Sequence, residues 1–235
     1  VDALNRLFAR LAQAMEGEQR FTANAAHELM TPLAAIKTEV QLCQRQMSQE
    51  PGASMLARIA QRVDRASHTV EQLLTLARVD PDAPLAIEPV DLRALLTELL
   101  AETGHLAAAG GLHVELQIAD EVTVAGSREA LAIALRNLLA NAFRYAVEGS
   151  TVTVTLDADE VPAVAICNDC EPLSPAEFTR ICERFYRVPG SLGLGAGLGL
   201  SIVSRIAELH HARLTVRPRA DGSGFCALLV FAGRQ

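Results

Sequence analysis

The chain has 235 residues, half of them hydrophobic and 21% charged, which excludes a disordered tail and, at roughly 100–200 residues per domain, leaves room for one large domain or two small ones. A formal charge of -7, from 28 acidic and 21 basic groups, argues against a basic nucleic-acid-binding face, so no direct nucleic-acid contact is expected. It still allows an anionic ligand, because a helix N-terminus can hold one.

The chain opens on Val1 rather than Met, and VDALNRLFARLAQAM reads as the end of a helix. The expectation is an excised fragment, with room for an anchor upstream. No run of 18 or more apolar residues and no signal peptide occur within it. Leu29, Leu33, Ile36, Val40, Cys43 and Met47 then recur at heptad-like spacing. So do Leu56, Ile59, Val63, Ala66, Val70, Leu73 and Ala77, after a turn at QEPGA. The pattern predicts a helical hairpin. Two helices with one apolar seam each make a thin core, so two hairpins are expected to pair into a dimeric four-helix bundle.

Three prolines in RVDPDAPLAIEPVD mark a linker and a short strand at 85–90. An α+β pattern follows. It comprises a helix at 91–109, strands at 112–118 and 122–125, and a helix from 127 to 147 with Ser127 as N-cap. Strands at 151–157 and 163–167 follow, then a helix from about Pro175. A glycine-rich loop runs into a helix at about 197–209, and strands at 213–217 and 225–231 close the chain. Helices packed on one face of a mixed sheet satisfy this order. The five cysteines form no disulfide framework, and Cys167-x-x-Cys170 lacks the second pair a zinc site needs. They are read as reduced thiols, in keeping with the cytosol.

Three stretches carry chemistry. In HELMTP, His27 and Thr31 share a helix face. A neutral imidazole has a free lone pair and is a usable nucleophile toward phosphorus. Glu28 is placed to orient that ring or take its proton, and Pro32 bends the turn. The alternative is a surface histidine beside a helix kink. In NLLANAFRYA, Asn137 and Asn141 stack one turn apart. Carboxamide oxygens suit magnesium, Arg144 suits phosphate and Tyr145 a base. The alternative is two ordinary surface asparagines. Gly190, Gly193, Gly195, Gly197 and Gly199 precede a helix and can expose N–H groups to phosphate. The stretch fits neither a Walker A loop nor a dinucleotide fingerprint, and the alternative is a loop needing glycines for its turns.

Together these stretches resemble the catalytic core of bacterial two-component sensor histidine kinases, over nearly the whole chain. HELMTP is similar to the phosphoacceptor box, NLLANAFRYA to the asparagine box, ERFYR at 183–187 to the phenylalanine box and GAGLGL at 195–200 to the second glycine box. The resemblance implies that residues 1–15 end a signal-coupling helix and that 16–82 form the dimerising phosphotransfer domain. It implies an α/β sandwich of the Bergerat (GHKL) ATPase type at 83–235, with an ATP lid near 187–196. ATP and Mg2+ would be bound, with Asn141 as metal ligand. Asn137, Arg144, Tyr145, Asn168, Arg187, Gly195, Gly197, Leu198, Gly199 and Leu200 would serve the nucleotide. His27, Glu28 and Thr31 would act on the phosphoryl group. Partners would be a second copy and a response regulator receiver domain. The fragment would be cytoplasmic, and the full protein would sit in the bacterial inner membrane through segments outside this sequence.

Two positions depart from the family pattern. Met30 stands where arginine is usual, and Asn168-Asp169-Cys170-Glu171-Pro172 replaces D-x-G-x-G. Asn168 takes the place of the adenine-reading aspartate and keeps only a neutral acceptor. The expected activity is autophosphorylation of His27 by Mg-ATP and transfer to a regulator aspartate. The alternatives are a core tuned mainly as a phosphatase, a dimeric signalling module with a degenerate nucleotide site, and a chaperone-like or topoisomerase-like ATPase of the same superfamily.

Overall fold

The computed structural model describes residues 29–30, 32–41, 43, 55–56, 59–60, 62–63, 66–67, 69–70, 86–158, 161–191, 197–219 and 222–232. The chain divides into two units, Val1–Asp80 and Pro81–Gln235.

Every described residue between 29 and 70 is helical. Val70 packs against Met30 and Leu33, and Val40 and Val63 are buried as well. The expected seam therefore splits. Leu33 and Val40 turn inward, whereas Leu29 and Ile36, seven residues apart, stay 50% and 43% exposed. Met30 takes an inward position instead, so the residue that replaces the family's arginine is a packing residue. His27, Glu28, Thr31 and the turn at QEPGA lie outside the described residues.

In the second unit the strand expected at 85–90 forms at β1, Glu88–Asp91. Its partner β3, Thr123–Gly126, is four residues long and pairs with 88–91 alone. Asp91 accepts a hydrogen bond from the Ala94 N–H at 3.0 Å and so caps α1, Leu92–Ala109. Such a cap is worth about 1 kcal/mol. After β2, His113–Ile118, and β3, Ser127 caps α2, Arg128–Tyr145. Strands β4, Thr151–Asp157, and β5, Ala163–Asn168, alternate buried and half-buried residues along their length. The short α3, Pro175–Arg180, opens with a capping box between Ser174 and Glu177. Helix α4, Gly199–Leu209, and strands β6, Arg213–Arg217, and β7, Phe225–Val230, complete the unit.

The main sheet has the order β2-β4-β5-β7-β6, with β2–β4 parallel and the other pairs antiparallel. Val152, Val154, Leu156, Val164, Ile166 and Leu229 lie buried between sheet and helices, with Leu95, Leu96 and Leu99 of α1 and Leu131, Leu135 and Leu139 of α2. Each such side chain contributes roughly 1.5–3 kcal/mol by leaving water. Arg128–Glu98 and Arg136–Glu102 link α2 to α1 across their outer surface. Exposed pairs of that kind add about 0–1 kcal/mol each. Because α2 also packs on α4, one helix fixes both flanks of the helical layer.

The cysteines overturn one expectation. Cys167 and Cys226 stand directly opposite in the β5–β7 ladder, with Cα atoms 4.1 Å apart, and form a disulfide. They are separated by 59 residues, so only the strand order brings them together. Cys43, Cys170 and Cys182 are free thiols.

Candidate nucleotide site

Helices α2 and α4 pack against each other, and their contact builds the site. Leu138, Leu139 and Ala142 bury one side of α2 and leave Asn137 and Asn141 half-buried on the other. Asn137 donates through Nδ2 to the Ile133 carbonyl at 2.9 Å. A Cβ on Gly199 would stand 3.2 Å from Asn137 Oδ1, 3.2 Å from Asn141 Nδ2 and 3.5 Å from Asn141 Oδ1. Two carboxamides therefore crowd the first residue of α4, and glycine is what lets them.

Leu198 caps α4 without any side-chain hydrogen bond. Ile202 is the first residue of the helix whose N–H reaches the Leu198 carbonyl, at 2.9 Å. The N–H groups of Gly199, Leu200 and Ser201 thus precede the first intrahelical bond. Leu198 and Leu200 bury their side chains, so what they offer a ligand is backbone. Carboxamide oxygens that suit a hard cation meet helix N–H groups that suit phosphate oxygens. Among the described residues no group of three or more His, Cys, Asp or Glu side chains is placed to hold a metal ion. The amide oxygens are the fitting donors here.

Gly197 has φ +71, and a Cβ there would lie 2.6 Å from the Tyr186 carbonyl oxygen. The Phe185 N–H donates to the Gly197 carbonyl at 2.9 Å. Phe185 itself has φ +64 and a ring that is 63% exposed. Phe185 and Gly197, on either side of 187–196, are therefore joined backbone to backbone. The Arg180 guanidinium sits over the Tyr186 ring, 4.3 Å from its centroid, which ties this joint to α3. Arg187 is exposed and donates to the Ser191 carbonyl at 3.4 Å. Gly195 lies outside the described residues. Arg144 and Tyr145 occupy the exposed last turn of α2.

Asn168 ends β5 on the helix-facing side and is 2% exposed. Its Nδ2 donates to the Asp169 carbonyl at 3.2 Å. Asp169 is held by Arg219, whose Nη1 donates to Oδ1 at 2.7 Å. Burial, reinforced by the Asp169 and Glu171 carboxylates, pushes the Cys170 thiol up from its ordinary range. Burial does the same for Cys182. The Glu177 carboxyl is pulled below the usual carboxylate range by the Ser174 backbone N–H that it accepts.

Two contributors escape sequence reasoning. Arg219 meets Asp169 across 50 residues, and no periodicity signals such a pair. His210 is buried, accepts the Ser127 N–H at Nε2, 3.0 Å, and donates from Nδ1 to the Ile206 carbonyl, 2.7 Å. It stitches the end of α4 to the start of α2. The His210-His211 pair was visible in the sequence, but its partner was a backbone group.

Residues 18–82 match the family described as His Kinase A (phospho-acceptor) domain. Residues 126–232 match the histidine kinase-, DNA gyrase B- and HSP90-like ATPase family. The sensor protein QseC of Salmonella typhi is 40% identical over 234 residues, which cover 97% of this chain and 51% of that protein. This chain therefore spans about half the length of that relative. The structure of the cytoplasmic segment of histidine kinase QseC is similar with a TM-score of 0.53 at 29% identity, over 73% of this chain and 95% of that one. Full-length ShkA in complex with AMPPNP shares the fold, with a TM-score of 0.74 at 24% identity over 92% of this chain and 46% of that one.

Proposed function

The chain belongs to the sensor histidine kinases, and from that premise we propose that it phosphorylates itself on His27 with Mg-ATP and passes the phosphoryl group to an aspartate of a response regulator. The observation that carries this reading is the meeting of Asn137, Asn141 and the uncapped start of α4 around Gly199. In this reading Asn141 holds magnesium through its amide oxygen. Asn137 supports it, and the N–H groups of Gly199 and Leu200 meet phosphate oxygens. Arg144 and Arg187 add positive charge at the rim, and Tyr145 packs beside the base. Mg-ATP supplies the phosphoryl group and the charge neutralisation on which phosphoryl transfer depends. Gly197 shapes the approach to the helix start, Gly195 serves the nucleotide as part of the same glycine box, and Asn168 reads the base.

The nucleophile is the neutral imidazole of His27. Its nitrogen bonds to the γ-phosphorus as the bond to the β-bridging oxygen breaks and ADP leaves, and Glu28 receives the imidazole proton. Thr31 positions water for the opposite activity, hydrolysis of the regulator's phosphoaspartate. The working form is a homodimer, supported by the exposed heptad pair Leu29 and Ile36 and by exposed Ile59. The phosphotransfer domain spans 16–82 and the ATP-binding domain 83–235. No helix among the described residues is long and apolar enough to cross a membrane. In this reading the full protein sits in the bacterial inner membrane, with this part on its cytoplasmic side; that the chain spans about half the length of its sensor relative supports the presence of further segments.

The test is a time course with γ-labelled ATP and magnesium on the wild type and His27→Gln. Acid-labile, base-stable label is expected in the wild type alone, with nucleotide affinity unchanged in the variant. Comparable label in His27→Gln would remove the assignment.

A further inference from the structure

Asparagine is an ambiguous reader of purines. Its amide carries a donor and an acceptor, and rotation by half a turn exchanges them. At position 168 that ambiguity is removed by a neighbour. The Asp169 carbonyl oxygen lies beside the amide, and a carbonyl can only accept. Nδ2 must face it, at 3.2 Å, because the flipped amide would set two oxygens against each other. Oδ1 is then the atom left for a ligand.

The carbonyl is in turn held in place. It accepts the Val147 N–H at 3.0 Å, from the turn after α2. The Asp169 side chain is gripped by Arg219 at 2.7 Å, with the two side chains 40% and 27% exposed. Arg219 belongs to the β6–β7 connection, where its N–H donates to the Ser223 carbonyl at 2.9 Å and its carbonyl accepts from Gly222 at 2.9 Å. Gly224, φ +59, closes this turn directly against β5. A Cβ there would lie 2.3 Å from the Asn168 carbonyl oxygen, 3.1 Å from the Asp169 Cα and 2.9 Å from the Arg219 Cδ. The hairpin turn and the end of β5 thus form one knot of backbone.

We propose that Arg219 is a positioning residue for base selection: by anchoring Asp169 it fixes the Asn168 amide with Oδ1 toward the ligand, so that the site takes purines with a 6-amino donor and rejects those with a 6-oxo group. This rests on the reading of Asn168 as the residue that meets the base. Adenine presents an amino group to Oδ1, whereas guanine and hypoxanthine present an oxygen that repels it. Without Arg219 the Asp169 side chain loses its anchor and the Val147 N–H is left to steady the carbonyl, so the amide flips more readily and either class of purine finds a partner.

Calorimetric titration with ATP, GTP and ITP in magnesium tests this on the wild type, Arg219→Ala, Arg219→Lys, Asp169→Ala, the Arg219→Ala/Asp169→Ala double variant and Asn168→Ala. The wild type is expected to prefer ATP by at least about tenfold. Arg219→Ala should lower the ATP-to-GTP affinity ratio by about fivefold, which is about 1 kcal/mol of discrimination, with ATP losing and GTP unchanged or gaining. Arg219→Lys should restore most of the ratio. Asp169→Ala should reproduce the loss, and the double variant should add nothing to it. A purely structural role would weaken all three nucleotides together and leave the ratio alone, and that result in the folded single variants overturns the proposal. If Arg219→Ala does not fold, an unchanged ATP-to-GTP ratio in Asp169→Ala overturns it equally. An unchanged ratio in Asn168→Ala means that Asn168 does not read the base and sinks both readings. A changed ratio there with none in Arg219→Ala sinks this one alone.

Discussion

At position 168 a carboxylate would supply a charged acceptor, and charge-assisted bonds contribute about 1.5–3 kcal/mol against about 0.5–1.5 for neutral ones. Charge alone therefore predicts tighter ATP binding for Asn168→Asp. The Asp169 carbonyl reverses half of that argument. The variant loses the Nδ2 donor and sets a carboxylate oxygen near the Asp169 carbonyl, 3.2 Å from the present Nδ2. ATP affinity in Asn168→Asp is accordingly expected to stay within about threefold of the wild type, read by calorimetry. A gain of tenfold would show that the carbonyl moves away freely. The cysteines give a second test at this scale. Burial keeps Cys170 and Cys182 protonated beyond the ordinary thiol range, and the thiolate is the nucleophile. Both should alkylate with iodoacetamide at pH 7.5 at least about tenfold more slowly than exposed Cys43, as peptide mass mapping would read. Equal rates would contradict their burial.

Gly199 decides whether α4 can begin where the asparagines are. A methyl group would press on both carboxamides at 3.2 Å, tighter than ordinary contact. Gly199→Ala is expected to cut ATP affinity by tenfold or more while the melting temperature moves by only a few degrees, since the contact lies at the rim of the core. Unchanged affinity would place the ligand elsewhere. Acid acts on a neighbouring element. Glu177 has its carboxyl lowered by the bond inside its capping box, so it stabilises α3 above its unfolded value of about 4.3. That contribution is lost as pH falls through the lower folded value. Between pH 6 and 3, amide protection factors in 175–180 should fall more in the wild type than in Glu177→Gln, which lacks the titration. The elements themselves were legible because caps and alternation are local. Ser127 and Asp91 announce helix starts, and TVTVTLD announces a strand. What was not legible depends on which strand lies beside which. The β1 limits follow from its four-residue partner, and the Arg219–Asp169 pair follows from the β6–β7 turn reaching the end of β5. The glycine and asparagine boxes were legible as motifs. Their meeting at Gly199 needed the packing of α2 on α4.

For the whole molecule, the exposed apolar residues of the first unit set the expected assembly. Leu29, Ile36 and Ile59 are each more than a third exposed in a single chain, and a second hairpin would cover them. Sedimentation equilibrium should find dimers at tens of micromolar for the wild type, and Ile36→Lys/Ile59→Lys should give monomers that still bind ATP. A wild-type monomer at that concentration would contradict this. The second unit carries a constraint of another kind. The Cys167–Cys226 bond closes a loop of 59 residues, and a cross-link of that span is worth about 4 kcal/mol in the chain-entropy account. One end of it is adjacent in the chain to Asn168, and the other follows Phe225, the strand partner of Asn168. The consequence reaches the bench before it reaches the cell. Preparations of this one sequence from an oxidising and from a reducing host would be two different materials, differing in mass by two hydrogens and melting well apart. A nucleotide affinity measured on either would characterise that preparation and not the other.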